Sequence, residues 1–160
     1  MVSRIPLSFV VCLLAVGLLS AAGCATSTAP KAEAIDLSAP GWTVRQGQAL
    51  WKPGADKPEI AGDVVVSTHP TAGSYIQFSK TLPIVSGRIT SAGWEFENIA
   101  ENKRYSGGGK PPKAIVWLQL LRAIDGQDIS DRWTVARPSS DFVTLEDEFR
   151  GERLQIQVQK

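Results

Sequence analysis

The feature that most constrains the fold is an alternation of apolar and polar side chains with a period of two. It is clearest in residues 154–159, where each apolar residue is followed by a glutamine. Successive side chains of a β-strand point to opposite faces of a sheet, so this pattern is typical of strands with one buried face. Seven earlier segments share it and are predicted strands: 42–51, 60–68, 74–80, 84–90, 94–98, 133–137 and 142–146.

Short turn-forming stretches separate these strands. They are rich in Pro, Gly, Ser and Asp, which break regular structure and form tight turns. Consecutive strands with short connections pair antiparallel, because a parallel pair needs a long crossover. The sequence therefore predicts an antiparallel meander. The turn stretches are residues 53–56, 70–73, 91–93, 138–141 and 150–151.

One segment, residues 113–124, breaks the period-two pattern and predicts a helix. Pro111 and Pro112 precede it, and Gly126 provides a stop. Its apolar side chains fall on one helical face: Ala114, Trp117, Leu118, Leu121 and Ile124. We predict a mainly β (α+β) domain, a curved antiparallel sheet or half-open β-barrel wrapping one central helix. An all-β sandwich with a strand at residues 115–121 is the alternative.

Residues 1–23 have the composition of a bacterial export signal. Arg4 supplies positive charge, residues 9–19 are apolar, and residues 20–23 are small. The small residues end at Cys24, one of two cysteines in the chain. The other, Cys12, lies inside the apolar stretch, so the rest of the chain has no cysteine for a disulfide.

The run Ala21-Ala22-Gly23-Cys24 resembles the lipobox of bacterial lipoproteins. The resemblance implies that Cys24 is lipidated on its sulfur, and that cleavage exposes its amino group for a further acyl chain. In Gram-negative lipoproteins the absence of Asp after this cysteine, here Ala25, favours the outer membrane, with the domain on the periplasmic face. A membrane-spanning helix over residues 5–23 and ordinary secretion with cleavage near Ala22 are the alternatives.

The rest of the chain divides at about residue 40. Residues 24–40 are small, polar and proline-punctuated after the cysteine, which predicts a lipidated cysteine and flexible tether. Residues 41–160 contain all five tryptophans and form the single predicted domain. The 17 basic and 16 acidic residues nearly balance, so nothing predicts a nucleic-acid partner or a polybasic membrane anchor. Membrane attachment is expected through Cys24.

No pattern predicts catalysis, a metal or a cofactor. The glycine run at 106–112 lacks the spacing of a phosphate-binding loop. His69 is the sole histidine, without a second metal ligand or a nucleophile motif, and is predicted to be an exposed turn residue. The carboxylates of Glu95, Glu97 and residues 146–148 are predicted to be solvated, so the chain is expected not to be an enzyme.

Residues 78–86 together with Gly93-Trp94 are similar to a Phe-rich strand, proline and Val-Ser run of the outer-membrane lipoprotein localisation proteins, the LolA/LolB type. The order of meander, helix and further strands is also similar, although this domain is shorter than is usual for the family. The resemblance implies an incomplete barrel whose cavity holds acyl chains, in a protein that accepts lipoproteins at the outer membrane.

We therefore expect a binding module for a lipid or acyl chain. Ligand sites are mostly apolar and aromatic, which makes the expected lining Trp94, Phe96, Trp117, Leu118 and Leu121. Leu82, beside Pro83, is either an exposed tip that touches a membrane or partner, or a turn leucine folded onto the core. The alternative is a structural or assembly lipoprotein with a filled core that binds an envelope protein through a surface such as 82–84 or an edge strand. An enzyme with an unseen site is the third possibility.

Overall fold

A computed structural model describes residues 35–159, and its residues Asp36–Lys160 form one compact unit. In the described part the order of elements is β1 (Thr43–Lys52), β2 (Ile60–His69), β3 (Gly73–Ser79), β4 (Pro83–Ile89), β5 (Trp94–Asn98), β6 (Lys103–Gly107), α1 (Val116–Ile124), β7 (Thr134–Ser139), β8 (Phe142–Asp147) and β9 (Glu152–Val158).

All nine described strands belong to one antiparallel sheet. Its order is β6-β5-β4-β3-β2-β1-β9-β8-β7, so β6 and β7 are the two edges. The prediction of a mainly β, curved antiparallel sheet around one helix is confirmed, and the sheet is open rather than a closed barrel. The all-β sandwich alternative is wrong, because the chain is helical from Val116.

Helix α1 begins three residues later than predicted. Ile115 is still extended, with φ −96° and ψ 96°. The predicted stop is confirmed, since Gly126 adopts a positive φ of 70° and its N–H donates to the carbonyl of Ala123. Arg137 from β7 donates a second hydrogen bond to that carbonyl, at 2.7 Å. Both donors satisfy a carbonyl that the last helical turn leaves without an intrahelical partner.

The helix is buried on more than the predicted stripe. Seven of its nine residues are buried, Gln119 among them. A helix that is apolar nearly all round is surrounded by other elements. One reason for its close approach to the sheet is Gly87 in β4, since a Cβ there would lie 3.0 Å from Leu118 Cδ2. The concave face of the sheet contributes Val64, Val66, Ile76, Phe78, Val85, Leu145, Leu154 and Ile156 to the core around α1.

Strand β6 was not predicted. It pairs antiparallel with β5, and Tyr105 stacks on Phe96 with ring centroids 6.4 Å apart. Four of its five residues are exposed, so its sequence shows no alternation. The chain therefore has an extra edge strand beyond the seven predicted before residue 154.

The connections between antiparallel neighbours alternate between the two ends of the sheet. We call one of them the hairpin end, where residues 53–59, 80–82, 99–102 and 148–151 connect strands. We call the other the entry end, because β1 begins there at Thr43. The turns at 70–72, 90–93 and 140–141 also lie at the entry end.

Candidate functional site

The hairpin end exposes apolar side chains from three separate connections. Phe149 is 98% exposed, Leu82 is 73% exposed and Ile99 is 40% exposed. Two other large apolar side chains among the described residues are exposed: Val44, at the entry end, and Tyr105, on edge strand β6. The three side chains come from connections spread along the sheet and share its hairpin end, which makes that end the candidate surface for a partner or a membrane.

Local hydrogen bonds hold the two turns that carry the most exposed of these side chains. The N–H of Lys80 donates to the carbonyl of Leu82 at 3.1 Å in the β3–β4 turn. The N–H of Arg150 donates to Asp147 Oδ1 at 3.2 Å, and Gly151 adopts a φ of 62°. The β8–β9 turn is thereby held with Phe149 in solvent.

An aromatic cluster lies beneath the hairpin end. Trp51 and Phe78 come from the hairpin ends of β1 and β3, and Trp117 comes from the first turn of α1. Phe78 stacks on Trp117 with centroids 5.0 Å apart, and Trp51 meets Trp117 edge-on at 5.5 Å. Each such pair contributes about 0.5–1.5 kcal/mol beyond its buried area. We call these three residues the aromatic cluster.

The two indoles of the cluster differ in hydrogen bonding. Trp51 Nε1–H donates to Glu152 Oε1 at 3.3 Å. Trp117 Nε1 is buried and has no acceptor among the described residues. An unpaired buried N–H costs about 1–3 kcal/mol, so the cluster contains one donor that a carbonyl or carboxylate oxygen would satisfy.

Beside the cluster, Asp147 and Glu152 face each other across β8 and β9, and both are buried. Burial raises the pKa of Glu152, the charge of Asp147 adds to this, and the Trp51 hydrogen bond only partly opposes it. Burial also acts to raise the pKa of Asp147. Arg132 Nε lies 2.6 Å from Asp147 Oδ2. The hydrogen bond and charge of Arg132, together with the hydrogen bond from the N–H of Arg150, outweigh burial, so the pKa of Asp147 is lowered.

The prediction that the carboxylates of residues 146–148 are solvated is wrong for Asp147, which is buried. Glu152 was not singled out, although the alternation in β9 places it on the same face as Leu154 and Ile156. The prediction for the solvent face of β5 is confirmed at Glu95, which is exposed. Glu97 on the same face is partly exposed and forms an ion pair with Arg104 at 3.2 Å.

The structure brings the expected ligand-binding residues together in the core. Trp117, Leu118 and Leu121 are fully buried, and Phe96 is buried. Trp94 is partly buried and packs against the same hydrophobic core. Gly107 covers the Trp94 ring, since a Cβ there would approach its carbons within 2.9 Å. A ligand at these positions has to displace packed side chains, so their role in binding stays a prediction.

The described residues limit two other kinds of site. Within residues 35–159, no three or more His, Cys, Asp or Glu side chains are grouped so that they could hold a metal ion. In the same part of the chain, no helix has the length and apolar character needed to cross a membrane. The predicted signal, Cys24 and most of the tether lie outside the described residues.

The sequence matches no protein-family model and no curated protein. The resemblance to the LolA/LolB type therefore stays a prediction that rests on the residues quoted for it.

Proposed function

We propose that this chain is a non-enzymatic bacterial lipoprotein, anchored through lipid on Cys24, whose domain binds a lipid or acyl chain at the hairpin end. In a Gram-negative host its place is the periplasmic face of the outer membrane. The observation that carries the proposal is the coincidence of exposed apolar tips with the aromatic cluster at one end of the sheet.

The exposed tips supply a driving force for apolar binding. Burying a Leu or Phe side chain that was in water contributes about 1.5–3 kcal/mol. Leu82 and Phe149 together therefore offer about 3–6 kcal/mol before ordering costs. These two residues project from separate turns, so an extended acyl chain or a membrane surface can contact both.

The aromatic cluster supports an apolar ligand that carries an oxygen acceptor. The Trp117 N–H needs an acceptor, and the neighbouring rings are apolar. An acyl chain that ends in an ester or amide carbonyl offers both an apolar body and an oxygen acceptor. Because Trp117 is buried and stacked on Phe78, such a ligand would reach its N–H only if the indole turned away from Phe78.

A protein partner is the second candidate, and the filled core favours it. Trp117, Leu118 and Leu121 already occupy the concave face. If they remain packed, the same tips become the anchors of a protein interface, where exposed aromatic side chains carry much of the binding energy. The partner would then be another protein of the cell envelope, and the chain a structural or assembly lipoprotein.

Photo-crosslinking separates the two candidates. A benzophenone amino acid replaces Phe149 or Leu82 in the anchored protein in intact Gram-negative cells, and the adduct is analysed by mass spectrometry. Val44 provides the matched control, because it is 41% exposed but lies at the entry end. A lipid adduct at 149 and 82 but not at 44 supports lipid binding. A protein adduct with that pattern supports the second candidate, and equal labelling at all three positions refutes both.

The anchor has its own test. Cys24→Ser removes the sulfur to which lipid would attach, so incorporation of labelled palmitate and membrane retention should both be lost. Two or more acyl chains hold a protein far more firmly than one, which makes the expected loss of retention nearly complete. A serine variant that keeps its label and stays in the membrane fraction would refute lipidation at Cys24.

A further inference from the structure

A polar groove lies at the entry end, on the outer face of the sheet, by which we mean the face that points away from α1. It forms where the β4–β5 turn meets the end of β6, and its volume is about 410 Å³. The polar side chains that line it are Arg88, Thr90, Glu95 and Ser106. The described residues that line it all lie at the entry end, so this groove is separate from the site proposed above.

Strand pairing places three of these side chains side by side. Arg88 in β4 lies opposite Glu95 in β5, and Glu95 lies opposite Ser106 in β6. Side chains alternate between the two faces of a strand, and Gly87, the residue before Arg88, faces Leu118 of the helix. The row from Arg88 to Ser106 therefore points outward.

Arg88 is placed to bind an anion that the described residues do not supply. Its side chain is partly buried, and its Nε is fully buried without a hydrogen-bond acceptor in the described structure. Glu95 lies opposite, but neither side chain takes part in any of the ion pairs of the described residues. A buried donor on a charged group is costly to leave unpaired, so an acceptor bound in the groove would stabilise this arrangement.

The geometry favours phosphate over carboxylate as that acceptor. The guanidinium of arginine is a planar fork of N–H donors that bonds to two oxygens of either group. A carboxylate is flat and directs both oxygens to one side, whereas a phosphate is tetrahedral and also presents oxygen towards Ser106. The backbones of β4 and β6 are two strands apart, about 10 Å, a gap that the long arginine side chain and a phosphate together bridge. Glycines complete the wall and leave room for the anion: Gly93, Gly107 and Gly108.

We propose that the groove around Arg88 is a binding site for a phosphate group. The guanidinium donates hydrogen bonds from Nε and a terminal nitrogen to two phosphate oxygens, and Ser106 donates one from its hydroxyl. The carboxylate of Glu95 lies beside the anion and weakens the binding of bare phosphate. The same carboxylate attracts an ammonium group, so phosphoethanolamine, which carries both charges, is the better ligand.

Two sources offer this chemistry, free phosphate and the head group of a phospholipid. The segment that follows Cys24 joins the sheet at the entry end, so an anchor at Cys24 would favour head groups as the source. That step rests on the proposed lipid anchor, whereas the phosphate site itself does not. Crosslinking at positions 82 and 149 reports on the hairpin end alone, so the two proposals fail independently.

The test is a titration of the full-length chain in maltoside micelles, which contain no phosphate, followed by ¹⁵N NMR at pH 7. One arm adds inorganic phosphate and the other adds short-chain phosphatidylethanolamine. In each arm the Nε–H signal of Arg88 should shift to saturation. A lower Kd for the phospholipid assigns the site to head groups, and a Kd for inorganic phosphate that is as low or lower assigns it to free phosphate. No saturable shift in either arm would overturn the proposal, and this result needs no variant to fold.

Two arginine variants test the contact itself, with binding followed at the backbone amide of Ser106. Arg88→Gln should raise Kd at least about tenfold in both arms, because hydrogen bonds between charged groups are the strong ones. Arg153→Gln is the matched control, since Arg153 also lies on the outer face but near the hairpin end, where it pairs with Glu59. This control loses the same charge and should keep the wild-type Kd. Equal losses in the two variants would mean that net charge alone attracts phosphate, which would overturn the proposal.

A third variant tests the position of the anion. Glu95→Gln should lower the Kd for inorganic phosphate about fivefold, as expected for removing one negative charge about 4 Å away in water. A Kd no lower than that of the wild type would show that the anion does not bind beside Glu95, and the assigned site would be wrong.

Discussion

The unpaired indole N–H of Trp117 leads to a prediction about two tryptophans that touch each other. Trp51 and Trp117 are both buried and lie 5.5 Å apart, but only Trp51 has an acceptor, in Glu152. The substitution Trp→Phe removes the same atoms at both positions. The two variants should therefore differ mainly in what happens to the N–H.

The expected magnitudes follow from that difference. Loss of part of the ring costs about 1–2 kcal/mol at either position, below the 3–5 kcal/mol of complete truncation. Trp51→Phe also removes a hydrogen bond to a buried carboxyl group, for a total of about 2–4 kcal/mol. Trp117→Phe removes an unsatisfied donor whose burial costs about 1–3 kcal/mol, so its net effect lies between a cost of about 1 kcal/mol and a gain of about 2 kcal/mol.

Thermal unfolding followed by circular dichroism at pH 7 measures the difference. For a domain of this size 1 kcal/mol corresponds to about 4 °C, so Trp51→Phe should melt at least about 4 °C below Trp117→Phe. An acyl ligand that bonds to Trp117 should stabilise the wild type more than Trp117→Phe. If Trp117→Phe melts as low as Trp51→Phe, the N–H of Trp117 has a partner in solution, and the carbonyl ligand loses its rationale.

Two further predictions concern the buried acids. Because the pKa of Glu152 is raised, its contribution to stability is fully present below the usual value of 4.5 and is lost as pH rises through the folded pKa. Glu152→Gln should therefore melt higher than wild type at pH 8, with the gain shrinking towards pH 4; a constant difference would contradict the raised pKa. Arg132→Met leaves Asp147 buried without its cation and should cost about 1–3 kcal/mol in urea unfolding. Lys113→Met, which breaks the exposed pair with Asp131, should change the free energy of unfolding much less, and equal costs would mean that burial of Asp147 is unimportant.

How much of the fold could be predicted depended on whether one face of a strand is buried. In β9 the concave face packs on the helix and the other faces water, so burial imposes the alternation that the sequence shows. In β6 little is buried on either face, so its sequence carries no period. The helix was predicted from the apolar stripe along one of its faces. Burial of its other faces depends on the curved sheet around it, which no local sequence pattern encodes.

The site was predictable only in part, for a similar reason. The rings expected to bind ligand do meet around α1, because apolar positions with strand and helix periods share one core. Leu82 and Phe149 each lie in a turn, and turn sequence does not determine whether an apolar side chain folds back or projects. The facing of Asp147 and Glu152 could not be predicted, because the turn was expected at residues 150–151 and the structure extends it to residues 148–151.

Because the two ends of the sheet differ, the orientation of the domain relative to the membrane matters for the proposed lipoprotein. β1 has ten residues and runs from one end to the other, a distance of about 30 Å at 3.3 Å per residue. The compact unit begins at Asp36, so eleven residues of the tether predicted to follow Cys24 precede it, with a root-mean-square reach of roughly 17–20 Å. If Cys24 is the anchor, a domain with its entry end towards the membrane would present Leu82 and Phe149 away from it, towards an incoming carrier or partner. For these tips to touch that same membrane the domain must invert, which requires the entry end to stand about 30 Å above the lipid.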